Sequence, residues 1–389
     1  MQGFSFYKNF TENLTDVNID DIITSRVALV RSDCRDRVCQ NHRFCRENIG
    51  ITQVVFRHDS KGSAFPQAVL KFIQSRNDSQ NYQRTKMNDV TKNKIIELKN
   101  QKKCVILAHY YAPSEVQEVA DFVGDSFYLA KIAKKCDADI IAFCGVAFMG
   151  ESAKILNPDK KVIMPSLSAD CPMAHMVAPG KIENLRKAYD DLAVVCYINS
   201  TADLKCQSDV CVTSSNAVKI VKALPNKNIF FIPDKNLGAY VKEQVPEKNI
   251  ILNDGFCPIH AKMSVEEVKN EMANHPSAPV LSHPECENEI LEISDFIGST
   301  SEIIDYANKN EGSEFIICTE EGVKFKLRCD NPEKKFYFPK TSPCCVDMKL
   351  NTLDALLFAL ENETNEVTVG EEVQRKALIP LERMLELAK

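Results

Sequence analysis

The chain has no basic surplus. Its 48 Lys and Arg stand against 54 Asp and Glu, for a net charge of −6 and a pI near 5.8, and the cations are scattered among acids. That excludes the electrostatic footprint needed to hold nucleic acid or an anionic membrane. No long apolar run is present either: the longest, Ile140 to Met149, is about half of the ~20 residues that span a bilayer. The N-terminus lacks the short basic run and apolar stretch of an export signal. A soluble, cytoplasmic protein with neither nucleic-acid nor membrane partners is expected.

Cysteine, by contrast, is abundant, with sixteen in 389 residues. Cytosolic thiols stay reduced, so a disulfide framework is not expected and metal ligation or redox chemistry becomes the question. Ten or more of the sixteen should simply be small buried apolar side chains. A chain of this length with 44% hydrophobic residues should also form more than one core.

Residues 1–86 carry polar runs such as 74–81 without strand-helix alternation and read as an N-terminal extension, poorly ordered or dispensable. Within them Cys34, Cys39, His42 and Cys45 have a loosely zinc-like spacing, but four neighbouring arginines and the lack of a paired Cys-x-x-Cys argue against a metal site there.

From Met87 onward, short β-branched runs alternate with helical periodicity, the pattern of an α/β fold with parallel sheets. A unit of nearly ninety residues recurs three times. Its first strand ends in polar residues at Val105–His109, Val194–Asn199 and Pro279–His283. A hydroxyl-bearing turn follows, at Gly124-Asp125-Ser126, Thr213-Ser214-Ser215 and Gly298-Ser299-Thr300. After two further strands comes a cysteine, and Cys171, Cys257 and Cys345 are separated by 86 and 88 positions. Three similar three-layer αβα domains around a pseudo-threefold axis follow: 87–170 plus 352–389, 171–256, and 257–351.

In α/β sheets ligands bind beyond the carboxyl ends of the strands, so equivalent strand ends should meet at one site. Cys171, Cys257 and Cys345 would then form a tripod of thiolates. Three thiolates suit a 4Fe-4S cluster with one open iron, which acts as a Lewis acid in dehydration or condensation. The turns at Ser126, Ser214, Ser299 and Thr300 suit phosphate or carboxylate, although each alone reads as an ordinary N-cap. His109, Tyr110, Tyr111, Tyr197, Asn199, His283 and Glu285 occupy the first-strand ends and supply candidate acids and bases. His175 and His260, a few residues past proposed ligand cysteines, read as structural.

The stretches Leu107-Ala108-His109-Tyr110-Tyr111, Gly124-Asp125-Ser126, Tyr197–Ala202, Val212–Ala217, Pro233–Leu237, His283-Pro284-Glu285-Cys286 and Cys345-Val346-Asp347-Met348-Lys349 resemble, in order, those of the quinolinate synthase family. The resemblance spans about 90–380. It implies condensation of iminoaspartate with dihydroxyacetone phosphate to quinolinate, with loss of phosphate and water, on the way to NAD. It also implies Cys171, Cys257 and Cys345 as ligands of a 4Fe-4S cluster, with Cys345 favoured over the adjacent Cys344. Tyr111, His109 and Glu285 would be catalytic. His109, Ser126, Tyr197, Asn199, Ser214, His283, Glu285, Ser299 and Thr300 would bind substrate. Transient contact with an enzyme that produces iminoaspartate is a further expectation. The alternatives are another 4Fe-4S hydro-lyase, or a non-catalytic iron-sulfur redox sensor. Cys206 and Cys211 flank the second hydroxyl turn; buried thiols are expected there in preference to a regulatory disulfide.

Overall fold

In the computed structural model the described residues are 87–341 and 343–389. Cys34, Cys39, His42 and Cys45 lie outside them, as does the rest of the 1–86 extension. A helix over 87–101 leads into three successive sets of four strands. The first set is β1 (Cys104–His109), β2 (Phe122–Gly124), β3 (Ile140–Cys144) and β4 (Lys161–Ile163). The second is β5 (Leu192–Tyr197), β6 (Val210–Val212), β7 (Asn228–Ile232) and β8 (Asn249–Leu252). The third is β9 (Val280–Ser282), β10 (Phe296–Ile297), β11 (Glu314–Cys318) and β12 (Lys335–Tyr337).

Each set forms its own sheet with the same order, β2-β1-β3-β4, β6-β5-β7-β8 and β10-β9-β11-β12, and every pairing is parallel. The fold is therefore α/β with three similar αβα units, as the repeat indicates. β1, β3 and β5 are buried at every residue, which is why they read as continuous apolar runs rather than alternating ones: helices cover both faces. The second strands are only two or three residues long, too short to carry a period of two.

An aspartate repeated at the same spacing locks the first two strands of each unit together. Asp121 Oδ2 accepts from Ile106 N–H at 2.8 Å, Asp209 Oδ2 from Val194 N–H at 2.6 Å, and Asp295 Oδ2 from Val280 N–H at 2.8 Å. In return the three aspartate amides donate to the carbonyls of Ile106, Val194 and Val280, each at 2.9 Å. The second strand is thus held by a side-chain and backbone clamp where its own ladder is too short to hold it.

Strand order reverses between the first and third strands of each sheet, and such a reversal opens a crevice at the carboxyl ends. His109 ends β1, Tyr197 ends β5, and His283 directly follows β9. Two C-terminal segments close the molecule. Helix Leu353–Asn362 packs on the apolar face that contains Ile106, Ala108 and Ile163. Helix Glu371–Leu387 lies against β6 and against helices Ala147–Leu156 and Ala202–Cys206, so it joins the first two units.

The clamp yields a test. Asp295→Ala leaves the Val280 amide without its acceptor and should destabilise the protein by about 1–3 kcal/mol. Asp295→Asn keeps an acceptor oxygen and should lose much less. Urea midpoints compare the two, and equal losses would contradict the clamp.

Candidate active site

The polar residues at the strand ends meet across the units. Tyr111, two residues past β1, places its hydroxyl 2.7 Å from Thr300 Oγ1 and 2.8 Å from Thr319 Oγ1, both in the third unit. Tyr197 at the end of β5 donates its hydroxyl to Glu285 Oε1 at 2.6 Å. His260, in the loop after β8, sets Nδ1 2.8 Å from Glu285 Oε2 and 3.2 Å from Cys257 Sγ. Its Nε2 is 3.0 Å from Thr319 Oγ1.

These distances define a directed chain. A carboxylate only accepts, so the proton shared between His260 and Glu285 sits on Nδ1, and with a single ring proton Nε2 accepts from Thr319. Thr319 then accepts from the Tyr111 hydroxyl, which accepts from Thr300. Burial pushes the Tyr111 phenol well above its ordinary pKa, with the Glu285 charge adding to it. A free phenolate is therefore disfavoured, and Tyr111 can take a proton from a ligand only by passing its own through Thr319 to His260. For Glu285, burial works against ionisation, but His260 and His283 when charged, with the hydrogen bonds from His260 and the Tyr197 hydroxyl, outweigh it and hold the carboxyl below the usual carboxylate range.

The two strand-end histidines share one local geometry. The Tyr111 amide donates to His109 Nδ1 at 3.2 Å, and the Glu285 amide donates to His283 Nδ1 at 3.3 Å. In neutral rings this leaves Nε2–H as the donor, and among the described residues neither Nε2 has a hydrogen-bond partner. The rings also stack with their neighbours: His109 meets Tyr111 edge-on at 4.5 Å, and His260 lies over His283 at 4.9 Å. Asn199, the residue of the second unit that matches Tyr111 and Glu285, has a buried Oδ1 with no partner. Unpartnered donors beside the proton chain suit a small polar ligand.

Cys171, Cys257 and Cys345 pack, partly buried, against one core cluster. Burial pushes Cys171 up to about 12 and Cys345 to about 11. Negative charge on Cys345 would raise Cys171 further, and charge on Cys171 would raise Cys257, behind the larger effects of burial and Glu285. A carboxylate holds each backbone amide: Asp170 that of Cys171 at 2.8 Å, Asp234 that of Cys257 at 3.2 Å, and Glu320 that of Cys345 at 2.9 Å. Soft sulfur donors presented from three separate loops fit a thiolate-bound cluster, whose iron would displace the thiol protons. Cys257, His260 and Glu285 also have donor atoms within 4.8 Å of one another.

The remaining candidates have their own local settings. The Ser299 hydroxyl caps helix Thr300–Lys309 in a capping box with Glu302. Ser126 begins helix Ser126–Lys135, and Ser214 lies in the turn before helix Ala217–Ala223; neither hydroxyl has a partner among the described residues. His175 is exposed and pairs with Asp170 at 2.7 Å. Cys206 and Cys211 are free thiols; Cys206 donates to the Val373 carbonyl, while Cys211 lies across the β5–β6 ladder from Cys196. The sequence reading missed Thr319 and the part played by His260. Thr319 closes the run that reads as the third strand of its unit, and that position was its one visible signal.

The family described as Quinolinate synthetase A protein matches residues 93–386. The chain belongs to this family. It is 52% identical over 299 residues to the quinolinate synthase of Caldicellulosiruptor bescii, which covers 77% of this chain and 99% of that protein. The quinolinate synthase of Fusobacterium nucleatum is 54% identical over 297 residues, 76% of this chain and 99% of its own. That of Clostridioides difficile is 50% identical over 295 residues, 76% and 97% respectively. Among the described residues no helix is long and apolar enough to cross a membrane.

The histidines make stability depend on pH. Burial lowers His109 and His283 from 6.5 to about 3, so between those values the unfolded chain binds protons that the folded chain refuses. Their contribution is complete above about pH 6.5 and is lost as the pH falls toward 3. His109→Gln should accordingly show a smaller drop in urea midpoint between pH 7 and pH 5 than the unsubstituted protein; an equal drop would contradict the assignment.

Proposed function

We propose that the chain is a cytoplasmic quinolinate synthase, condensing iminoaspartate with dihydroxyacetone phosphate to quinolinate with loss of phosphate and water, for NAD biosynthesis. Family membership supports the reading. The observation that carries it is that His109 and His283, whose Nε2 atoms have no hydrogen-bond partner among the described residues, lie against Tyr111 and His260 of a directed proton chain. Carboxylate and phosphate oxygens would accept from those two Nε2–H groups, and Asn199 Oδ1 would accept from an N–H or hydroxyl of the substrate. The three αβα units would be domains with the bounds 87–170 plus 352–389, 171–256 and 257–351.

Cys171, Cys257 and Cys345 would hold a 4Fe-4S cluster, which when bound supplies an open iron as Lewis acid toward a hydroxyl or carboxylate. The other roles belong to side chains. His109 and His283 donate to substrate oxygens, while Tyr197 and Asn199 orient them. Ser126, Ser214 and Thr300, with the helix start that Ser299 caps, take carboxylate or phosphate. Tyr111 exchanges a proton with the bound intermediate and relays its own through Thr319 to His260, and Glu285 stabilises the imidazolium that forms. Iminoaspartate would reach the site from an enzyme that produces it, through at most a transient contact.

The test is quinolinate formation by the anaerobically reconstituted protein from dihydroxyacetone phosphate and freshly generated iminoaspartate. Product that requires both substrates is expected; none from fully loaded protein would overturn the reading. In the same assay Thr319→Val, nearly isosteric but unable to relay a proton, should lower kcat roughly 10²-fold. Its iron and sulfide content should not change.

A further inference from the structure

Glu320 is a carboxylate buried to 1% exposure just past β11, and three donors surround it. The Cys345 amide donates to Oε1 at 2.9 Å, the Gly322 amide to Oε2 at 2.6 Å, and the Lys349 ammonium to Oε1 at 2.9 Å. Lys349 is its only ion-pair partner among the described residues. The same ammonium donates to the carbonyl of Tyr111 at 2.7 Å. One cation and one carboxylate therefore join the backbone that carries the Tyr111 phenol to the backbone that carries the Cys345 thiol.

The packing around this junction is close. A Cβ on Gly322 would come within 2.7 Å of Tyr111 Cα and 2.8 Å of the Tyr110 carbonyl oxygen. The Gln117 amide nitrogen adds donations to the carbonyls of Tyr110 and Ala112, both at 2.8 Å, and of Gly322 at 3.3 Å. The Tyr110–Ala112 backbone is thus pressed against the Glu320–Gly322 turn, whose Glu320 holds the Cys345 amide, and Lys349 closes the contact.

We infer that the Glu320–Lys349 pair is a positioning strap, setting the Tyr111 phenol relative to the Cys345 thiol by tying the Tyr111 carbonyl and the Cys345 amide to one buried charge pair. The inference rests on the proposed function, in which Tyr111 exchanges the proton and Cys345 holds the cluster. Lys349 is not a catalytic residue here; it acts through Tyr111. A displacement of about 1 Å at a reacting group costs on the order of 10²-fold in rate, so a strap that fixes two reacting parts should appear in kcat.

The strap is also reachable from outside. Lys349 is 28% exposed and lines a cleft of about 510 Å³ together with Ala112, Ser114, Gly322, Phe325 and Arg328. A small ammonium ion entering that cleft can replace a truncated lysine head, which separates positioning from mere stability.

The experiment uses the cluster-loaded full chain, unsubstituted and as Lys349→Ala and Lys349→Arg. Lys349→Ala should keep its iron and sulfide, lose about 10²-fold in kcat, and hold KM for both substrates within about twofold. Propylammonium should restore at least about tenfold of the lost rate, and tetramethylammonium, which has no N–H, none. Lys349→Arg should keep part of the rate. Hydrogen exchange read by mass spectrometry gives a measure independent of turnover. Segments 107–117 and 343–350 should exchange faster in Lys349→Ala and slow again with propylammonium, while segment 192–212 does not change. An unaltered kcat, or a loss that propylammonium does not relieve, overturns the strap. If the unsubstituted protein makes no quinolinate, it is the function reading that fails, and exchange alone then decides the strap: unaltered protection in the two segments overturns it. Should Lys349→Ala fail to fold, Glu320→Gln, which keeps an acceptor for the Cys345 amide but loses the ion pair, must show the same kcat loss or the inference falls.

Discussion

A carboxylate stays ionised in a dry interior only when donors surround it, and Glu285 at 3% exposure is the group on which the site depends. Tyr197 approaches it from the second unit and His260 from the loop after that unit's last strand. Remove those donors and the charge would be stranded, at a cost of several kcal/mol. The requirement ties the second and third units together at the strand ends. It also fixes the tautomer of His260, and the tautomer fixes the direction in which Thr319 and Tyr111 hand on a proton. Geometry, charge and proton direction thus follow from one buried carboxylate.

The parallel sheets explain why this junction forms where it does. A βαβ unit delivers its variable loops to the carboxyl ends of its strands, so three units of equal strand order bring three equivalent loop sets to bear. The same argument bears on the thiols, since each of the three cysteines follows the fourth strand of a sheet. The surrounding structure carries the cost of polar groups left without partners. Asn199 Oδ1 is buried and unsatisfied, and among the described residues no hydrogen bond reaches Nε2 of His109 or His283. Such groups destabilise a fold that has no ligand for them, and they mark where function has overridden packing.

The division of the chain into three αβα units was legible because a spacing of 86 to 88 residues survives in the polar ends, the hydroxyl turns and the cysteines alike. His109, Tyr197 and His283 stood out as equivalent strand ends, and the fold pairs Tyr111 with Thr300 and Tyr197 with Glu285. What the pattern concealed was pairing across units. Nothing local links Tyr111 to Thr300 or Thr319, which lie 189 and 208 positions further on. The clamp aspartates Asp121, Asp209 and Asp295 keep the repeat spacing, but they sit before strands too short to be recognised. Ser299 looked equivalent to the other turn hydroxyls, yet the Glu302 three residues on marks it as the start of a capping box.

If Cys171, Cys257 and Cys345, each following the fourth strand of a sheet, are the ligands of one cluster, loss of any one thiol must prevent its assembly. Iron and sulfide per chain, measured on anaerobically reconstituted Cys171→Ala, Cys257→Ala, Cys345→Ala, Cys344→Ala and Cys286→Ala, tests it most directly. The account predicts that each of the first three assembles no intact 4Fe-4S cluster and that the last two load as the unsubstituted protein does, because Cys286 is fully buried with its thiol on the Cys318 carbonyl and Cys344 lies beside Glu321. A full cluster in any of the first three would contradict it.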